Sequence, residues 1–331
     1  MRSSDPKPLE SSLEPVGAMG ALSGSVAVVR ALITGSRGFV GRWLTAHLEE
    51  AGDEVVPMDG DIDIADGDAV KAAICDASPD AVYHLAAFSS VGRSWDDPAE
   101  VFRVNALGTL AVLQAAGACD TAPAVLLVSS AEVYGSVPAD KMPIREDSPL
   151  RPVTPYAASK VAGEFLGVQA NLGRGVPVVI ARAFNHVGPG QSAGFVVAAL
   201  ASRVVEAHRS GAKTVRVGNL SARRDFTDVR DVVRAYRMLI DKGVPGEVYN
   251  VCSGVDIEIT EILERLGRLA GIDLDIEVDP ELVRPVEAPV LRGDGSKIAG
   301  ATGWSPRIPL DDTLTAVLDE WRERPAKPTS A

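Results

Sequence analysis

Tyr156 and Lys160 are the pair on which chemistry can be built. They stand four residues apart in Thr154-Pro155-Tyr156-Ala157-Ala158-Ser159-Lys160, which on a helix puts both side chains on one face. A free phenol loses its proton near pH ~10. A neighbouring ammonium favours the phenolate, so Lys160 is expected to lower Tyr156 towards neutrality and make it a working acid or base. The same spacing is common on amphipathic helices, so the upstream residues decide what it means.

The elements that must position this pair begin with a short apolar strand, Arg30-Ala31-Leu32-Ile33-Thr34. It runs into Gly35-Ser36-Arg37-Gly38-Phe39-Val40-Gly41 and then a helix to about Ala51. Glycines between a strand and a helix let the backbone approach a pyrophosphate, whose charge meets the helix N-terminus. A second strand, Glu54–Met58, ends in Asp59, where an acidic side chain would hold a ribose 2′-hydroxyl and point to NAD(H). Arg37 points the other way, because it could pair with a 2′-phosphate; the balance leans slightly to NAD(H). Too little chain separates Asp59 from Asp63 and Ile64 for an ordinary crossover helix. A tight loop or short strand is expected there, near the adenine.

A helix through Cys75 leads to the buried strand Ala81-Val82-Tyr83-His84-Leu85-Ala86-Ala87. Leu85, Ala86 and the small Ala87 end that strand at the cofactor, Ser89 and Ser90 follow as partners for sugar hydroxyls, and mid-strand His84 reads as a core histidine. Asp97-Pro98 starts a helix expected to run through Asn105, placed on the cofactor side, to about Ala118. The strand Val125–Val128 then ends in Ser129-Ser130-Ala131-Glu132. Alternating strands and helices predict a doubly wound parallel sheet, with ligands at the carboxyl ends of its strands. Ser130, Glu132 and Tyr156 all fall at that edge. After the strand Val178–Arg182, the stretch Ala183–Gln191 reads as a loop where the chain leaves the cofactor domain. Arg223 and Arg224 are candidates for a diphosphate clamp, and Arg284 lies in a segment without periodicity.

Composition narrows the classes. The chain has 331 residues, 46% hydrophobic, with net charge −12, which argues against a nucleic-acid footprint. Three scattered cysteines without CxxC spacing and four unclustered histidines argue for reduced thiols, a cytoplasmic protein and no metal. No apolar run approaches the ~20 residues of a membrane span. Residues 1–29 read as a disordered tail.

Taken in order, Gly35-x-x-Gly38-x-x-Gly41, Ser130 with Tyr156-x-x-x-Lys160, and Arg182-x-Phe184-Asn185 resemble the extended short-chain dehydrogenase/reductase family acting on nucleotide-diphosphate sugars. Within it, Phe184–Gln191, Val217–Phe226, Tyr249–Gly254 and Arg284-Pro285 are similar to GDP-4-keto-6-deoxy-D-mannose reductases and GDP-mannose 4,6-dehydratases. The Gly188-Pro189-Gly190-Gln191 form favours the reductases. The resemblance implies an α/β protein, a Rossmann-type doubly wound parallel sheet with a smaller C-terminal α/β substrate-binding domain. The cofactor domain would be 30–184 plus about 225–251, and the sugar domain about 185–224 plus 252–325. It also implies NAD(H) or NADP(H) as cofactor and a GDP-sugar held by Asn185, Arg224 and Arg284. The implied reaction is reduction of a C4 ketone to give GDP-D-rhamnose, with Ser130, Tyr156 and Lys160 catalytic. Glu132 keeps the dehydratase alternative open, whereas epimerases tend to carry a small uncharged residue there. A homodimer through helices near 98–118 and 156–172 is implied as well.

Overall fold

The structure is a computed structural model and describes residues 28–58, 61–218, 220–279 and 288–325. The expected tail therefore lies outside the described residues except for Val28 and Val29, and Asp59 and Arg284 lie outside them too.

In chain order the first half reads β1 (Arg30–Thr34), α1 (Phe39–Glu50), β2 (Glu54–Met58), α2 (Gly67–Ala77), β3 (Ala81–His84), α3 (Pro98–Phe102), α4 (Gly108–Ala116), β4 (Ala124–Ser130), α5 (Pro155–Arg174) and β5 (Val178–Ala183). The second half reads β6 (Asn185–Val187), α6 (Val196–Ser210), β7 (Thr214–Val217), β8 (Arg223–Asp228), α7 (Val229–Lys242) and β9 (Val248–Val251). It closes with β10 (Asp256–Glu258), α8 (Ile259–Ala270), β11 (Asp275–Val278), β12 (Val290–Leu291), α9 (Ser296–Thr302) and α10 (Leu310–Glu323).

Six strands pair in parallel in the order β2-β1-β3-β4-β5-β9. The central strands are continuous apolar runs because helices cover both faces. Leu44, Leu48, Val232 and Tyr236 from α1 and α7 close one face; Ile74, Val112 and Ala170 from α2, α4 and α5 close the other. This is the expected doubly wound α/β sheet. Its strand order reverses between β1 and β3, the place where such sheets hold ligands.

A second sheet, β10-β8-β12 with β6 beside β8, and the separate pair β7-β11 lie outside the six-stranded sheet. Leu200 and Val204 of α6, Ile262 and Leu266 of α8, and Leu314 of α10 form a core of their own.

Several elements differ from expectation. β3 stops at His84 rather than Ala87, because the Leu85 and Ala86 N–H groups turn to the Thr34 hydroxyl, each at 3.1 Å. The helix expected from Asp97 to about Ala118 is capped by Asp97, but Arg103–Leu107 is a π-helical turn between α3 and α4. Asn185–Val187, read as loop, is strand β6. Arg223–Asp228 is strand β8, hidden in the sequence because a charged stretch carries no apolar alternation. Inside it, buried Asp225 accepts from Ser253 N–H and Oγ, Gly254 N–H and Gly293 N–H at 2.8, 2.6, 2.9 and 3.2 Å. That carboxylate supplies the order that apolar packing gives elsewhere.

Candidate active site

The glycine loop follows β1 directly. Gly35 has φ +73°, a conformation that glycine adopts without strain, and a Cβ there would lie 3.0 Å from the Ala86 nitrogen. At Gly41 a Cβ would stand 2.2 Å from the Gly35 carbonyl oxygen, so α1 can approach the loop only with glycine at this position. Gly38 is the N-cap of α1 and no side chain caps the helix. Phe39 and Val40 sit in that uncapped first turn, where N–H groups and the helix dipole favour an anion. These residues form a cradle of the kind that fits a dinucleotide pyrophosphate. Arg37 is exposed on the loop.

Across the strand-order reversal, Leu85, Ala86 and Ala87 form the half-buried segment after β3. Asp63 follows β2 and accepts from Ala65 N–H at 3.0 Å and from Arg103 at 2.6 Å. These bonds hold its carboxyl below the usual range, the backbone N–H first and the guanidinium second. Ile64 packs at Gly108, and a Cβ on that glycine would stand 2.8 Å from Cγ2 of Ile64.

Tyr156 and Lys160 lie on α5, which begins with Thr154 accepting from Ala157 N–H at 3.1 Å and with Pro155 in its first turn. Ser130 ends β4, and its hydroxyl accepts from Glu132 N–H at 3.2 Å. The Ser130 hydroxyl also hydrogen-bonds the Tyr156 phenol. Lys160 donates to the Val128 carbonyl at 2.9 Å.

The electrostatics correct one expectation. Tyr156 is not lowered by Lys160. Burial pushes the phenol up to about 12, the Ser130 hydrogen bond opposes this, and the Glu132 charge adds to it. Lys160 is itself brought down to about 8 by burial, against the pull of Glu164. Desolvation outweighs the ion–phenol attraction that the spacing suggested.

Glu164, one turn beyond Lys160, is a site neighbour that the sequence motifs do not include. It is almost fully buried against Arg182 at 2.7 Å and accepts from Ser129 at 2.5 Å. Arg182 also donates to the Tyr134 hydroxyl at 2.9 Å. The visible signal is a glutamate in register with Tyr156 and Lys160. Removing one partner of such a pair costs about 3–5 kcal/mol.

Asn185 opens β6, and its buried amide nitrogen has no hydrogen-bond partner among the described residues. Arg224 lies in β8 and donates to the Arg223 and Ala288 carbonyls at 2.9 and 2.7 Å. β6 and the loop after it are held against α1. His186 stacks on Phe39 with ring centres 6.1 Å apart, and Trp43 donates to the Pro189 carbonyl at 2.9 Å. Ser89 is exposed, and the Ser90 hydroxyl accepts from Arg93 N–H at 3.3 Å. His84 is buried with both ring nitrogens hydrogen-bonded, as a core histidine should be.

Comparison with known proteins places this geometry. The family model for GDP-mannose 4,6 dehydratase matches residues 60–317. The GDP-6-deoxy-D-mannose reductase of Pseudomonas aeruginosa is 38% identical over 298 residues, covering 89% of this chain and 98% of that protein. The structure of RMD from Pseudomonas aeruginosa complexed with NADPH superposes with a TM-score of 0.82 at 38% identity, over 88% of this chain and 98% of that one. The UDP-glucose 4-epimerase of Thermus thermophilus in complex with NAD gives a TM-score of 0.77 at 29% identity, over 88% and 99%. With its parallel sheet, its glycine cradle and the Ser130–Tyr156 contact, the chain belongs to the GDP-mannose 4,6-dehydratase family and has the extended short-chain dehydrogenase/reductase fold.

Proposed function

We propose that the protein is an NAD(P)H-dependent reductase of a GDP-4-keto-6-deoxyhexose, forming GDP-D-rhamnose from the 4-keto-6-deoxymannose sugar. The observation that carries the reading is the likeness to a GDP-6-deoxy-D-mannose reductase over 98% of that protein's length, together with the buried Tyr156 phenol beside Ser130. At neutral pH the phenol keeps its proton, the state a proton donor to a forming alkoxide needs.

A nicotinamide dinucleotide held in the glycine cradle would supply the hydride that reduces the C4 ketone. Tyr156 gives its proton to the oxygen as charge develops there, and Ser130 hydrogen-bonds that same oxygen. Lys160, one turn along α5 from Tyr156 and anchored on the Val128 carbonyl, would hold the nicotinamide ribose. Gly35, Gly38, Phe39, Val40 and Gly41 cradle the pyrophosphate, with Asp63, Ile64, Leu85, Ala86, Ala87 and Asn105 along the dinucleotide. Arg37 and Asp59 divide the choice between NADP(H) and NAD(H). Asn185, Arg224 and Arg284 hold the GDP, with Ser89 and Ser90 at the sugar; the unpartnered amide nitrogen of Asn185 suits a diphosphate oxygen.

The separate cores support a cofactor domain and a sugar domain, proposed as 30–184 with about 225–251 and about 185–224 with 252–325. Phe226 packs in the sugar-side core, however, and Ile298 and Trp304 pack in the cofactor core, so the boundaries move at those residues. Exposed Leu107, Phe165 and Leu172, on the π turn and α5, support a homodimer through this face. Three free thiols suit a cytoplasmic enzyme, and among the described residues no helix is long and apolar enough to cross a membrane.

A second reading, a 4,6-dehydratase, is favoured by Glu132, whose charge reaches Tyr156. There Tyr156 would act as the base on the C4 hydroxyl and Glu132 would take the C5 proton. The test is absorbance at the reduced nicotinamide band when GDP-4-keto-6-deoxymannose is added with NADPH or NADH. Stoichiometric loss of reductant is expected; an unchanged band over hours with either reductant overturns the reading.

A further inference from the structure

Beneath the site runs a chain of buried hydrogen bonds, passing through Asn105, whose other members take no part in the proposed proton and hydride transfers. It starts at Thr34, the last residue of β1. The Thr34 hydroxyl meets His84 Nδ1 at 2.9 Å and also accepts the Leu85 and Ala86 N–H groups at 3.1 Å. His84 Nε2 meets the Thr109 hydroxyl at 3.0 Å, and Thr109 donates to the Asn105 carbonyl at 2.6 Å. The Asn105 amide accepts from Phe88 N–H at 2.8 Å, and donates to the Phe88 carbonyl at 3.1 Å and the Ser159 hydroxyl at 2.9 Å. Ser159 donates to the Tyr156 carbonyl at 2.7 Å.

Proton counting fixes the direction of this chain. A carbonyl can only accept, so Thr109 gives its one proton to Asn105 and must accept from His84. The Thr34 oxygen already accepts two N–H groups, so its proton goes to Nδ1. The ring is therefore the neutral tautomer with hydrogen on Nε2. Thr34, His84, Thr109, Asn105 and Ser159 are each at most 4% exposed, which leaves solvent little access to take over any of these bonds. Burial, with the Lys160 charge as a second cause, brings the imidazole down to about 3 and keeps it neutral.

The chain joins three things the site needs: the strand entering the glycine loop, the Leu85–Phe88 segment, and the first turn of the Tyr156 helix. It also passes through the π-helical turn that carries Asn105, where the spare residue turns the carbonyl and side chain of Asn105 to different partners. We propose that His84 is a positioning residue. Through Thr34 it sets the Leu85–Ala87 segment against the dinucleotide, and through Thr109, Asn105 and Ser159 it sets Tyr156 against the same ligand. The inference rests on the glycine loop being a dinucleotide site.

The test uses the full chain and direct fluorescence titration with NADPH and NADH, beside thermal unfolding and steady-state kcat and KM. Thr109→Val removes the acceptor for His84 while keeping side-chain shape, and Thr109→Ser restores the hydroxyl. His84→Phe breaks both ends of the link. Thr109→Val is expected to weaken dinucleotide binding about tenfold, as loss of an outer support does, with KM for the sugar unchanged and Thr109→Ser recovering the affinity. A folded Thr109→Val protein that binds like wild type overturns the proposal, and so does a Thr109→Ser protein as weak as Thr109→Val. The Thr109 pair decides the matter if His84→Phe does not fold. Wild-type protein that binds neither dinucleotide would overturn the site assignment itself, and the proposal with it.

Discussion

Lys160 carries the pH dependence of the proposed reaction. Burial brings its ammonium down to about 8, so the charged form is present below that value and is lost above it. The profile of kcat/KM should fall as pH rises through about 8, approaching tenfold per unit. Tyr156, at about 12, adds no limb in the accessible range. A flat profile to about pH 10, the ordinary lysine value, would contradict this. Stability moves oppositely: between about 8 and the ordinary value the unfolded chain binds more protons, so the folded state gains as pH rises. Glu132 separates the two readings of the site. Glu132→Gln should leave reduction of the 4-keto sugar largely intact in a steady-state assay, whereas a loss of about 10²-fold or more would make it the acid/base that a dehydratase needs. The meeting of Tyr156 with Ser130 was legible in the sequence, because spacing and strand ends fix it. The direction of the Tyr156 shift was not, since spacing is blind to how much water surrounds a group.

At the scale of elements, the glycine loop and α1 meet with no space to spare. Gly41→Ala puts a Cβ 2.2 Å from a backbone oxygen that cannot rotate away. Overpacking of this kind costs about 1–3 kcal/mol. We expect a lower thermal midpoint together with weakened dinucleotide binding; a variant with both unchanged would show that the loop does not pack as described. Strands buried on both faces, and helices with a Thr or Asp cap, were readable because apolar runs and caps are local signals. β8 was not readable: its order comes from Asp225, whose partners Ser253, Gly254 and Gly293 are distant in sequence. The break at Arg103–Leu107 escaped for a similar reason, since Asn105 takes up partners on Phe88 and Ser159 that no helical pattern reveals.

At the scale of the whole molecule, the apolar side chains left outside the three large cores bear on assembly. Phe165 and Leu172 are 64% and 80% exposed, seven residues apart on α5, which is two turns along one helix face. If this face closes a homodimer, Phe165→Glu with Leu172→Glu should convert the protein to monomer in size-exclusion chromatography with light scattering. A wild-type monomer, or a dimer untouched by both changes, would contradict it. The architecture itself was legible because strand–helix alternation leaves few alternatives, and the place where strand order reverses then fixes where a ligand sits. The sugar side was less legible, because its strands are short and its sheet joins segments far apart in the chain.

As proposed, the protein reduces a ketone and does not eliminate water. The most direct measurement is mass spectrometry of GDP-mannose and of GDP-4-keto-6-deoxymannose, each incubated with the protein with and without NADPH or NADH. A reductase gives a gain of two mass units on the keto sugar, only with reductant, and no change in GDP-mannose. Loss of water from GDP-mannose without added reductant, with the keto sugar untouched, would contradict it.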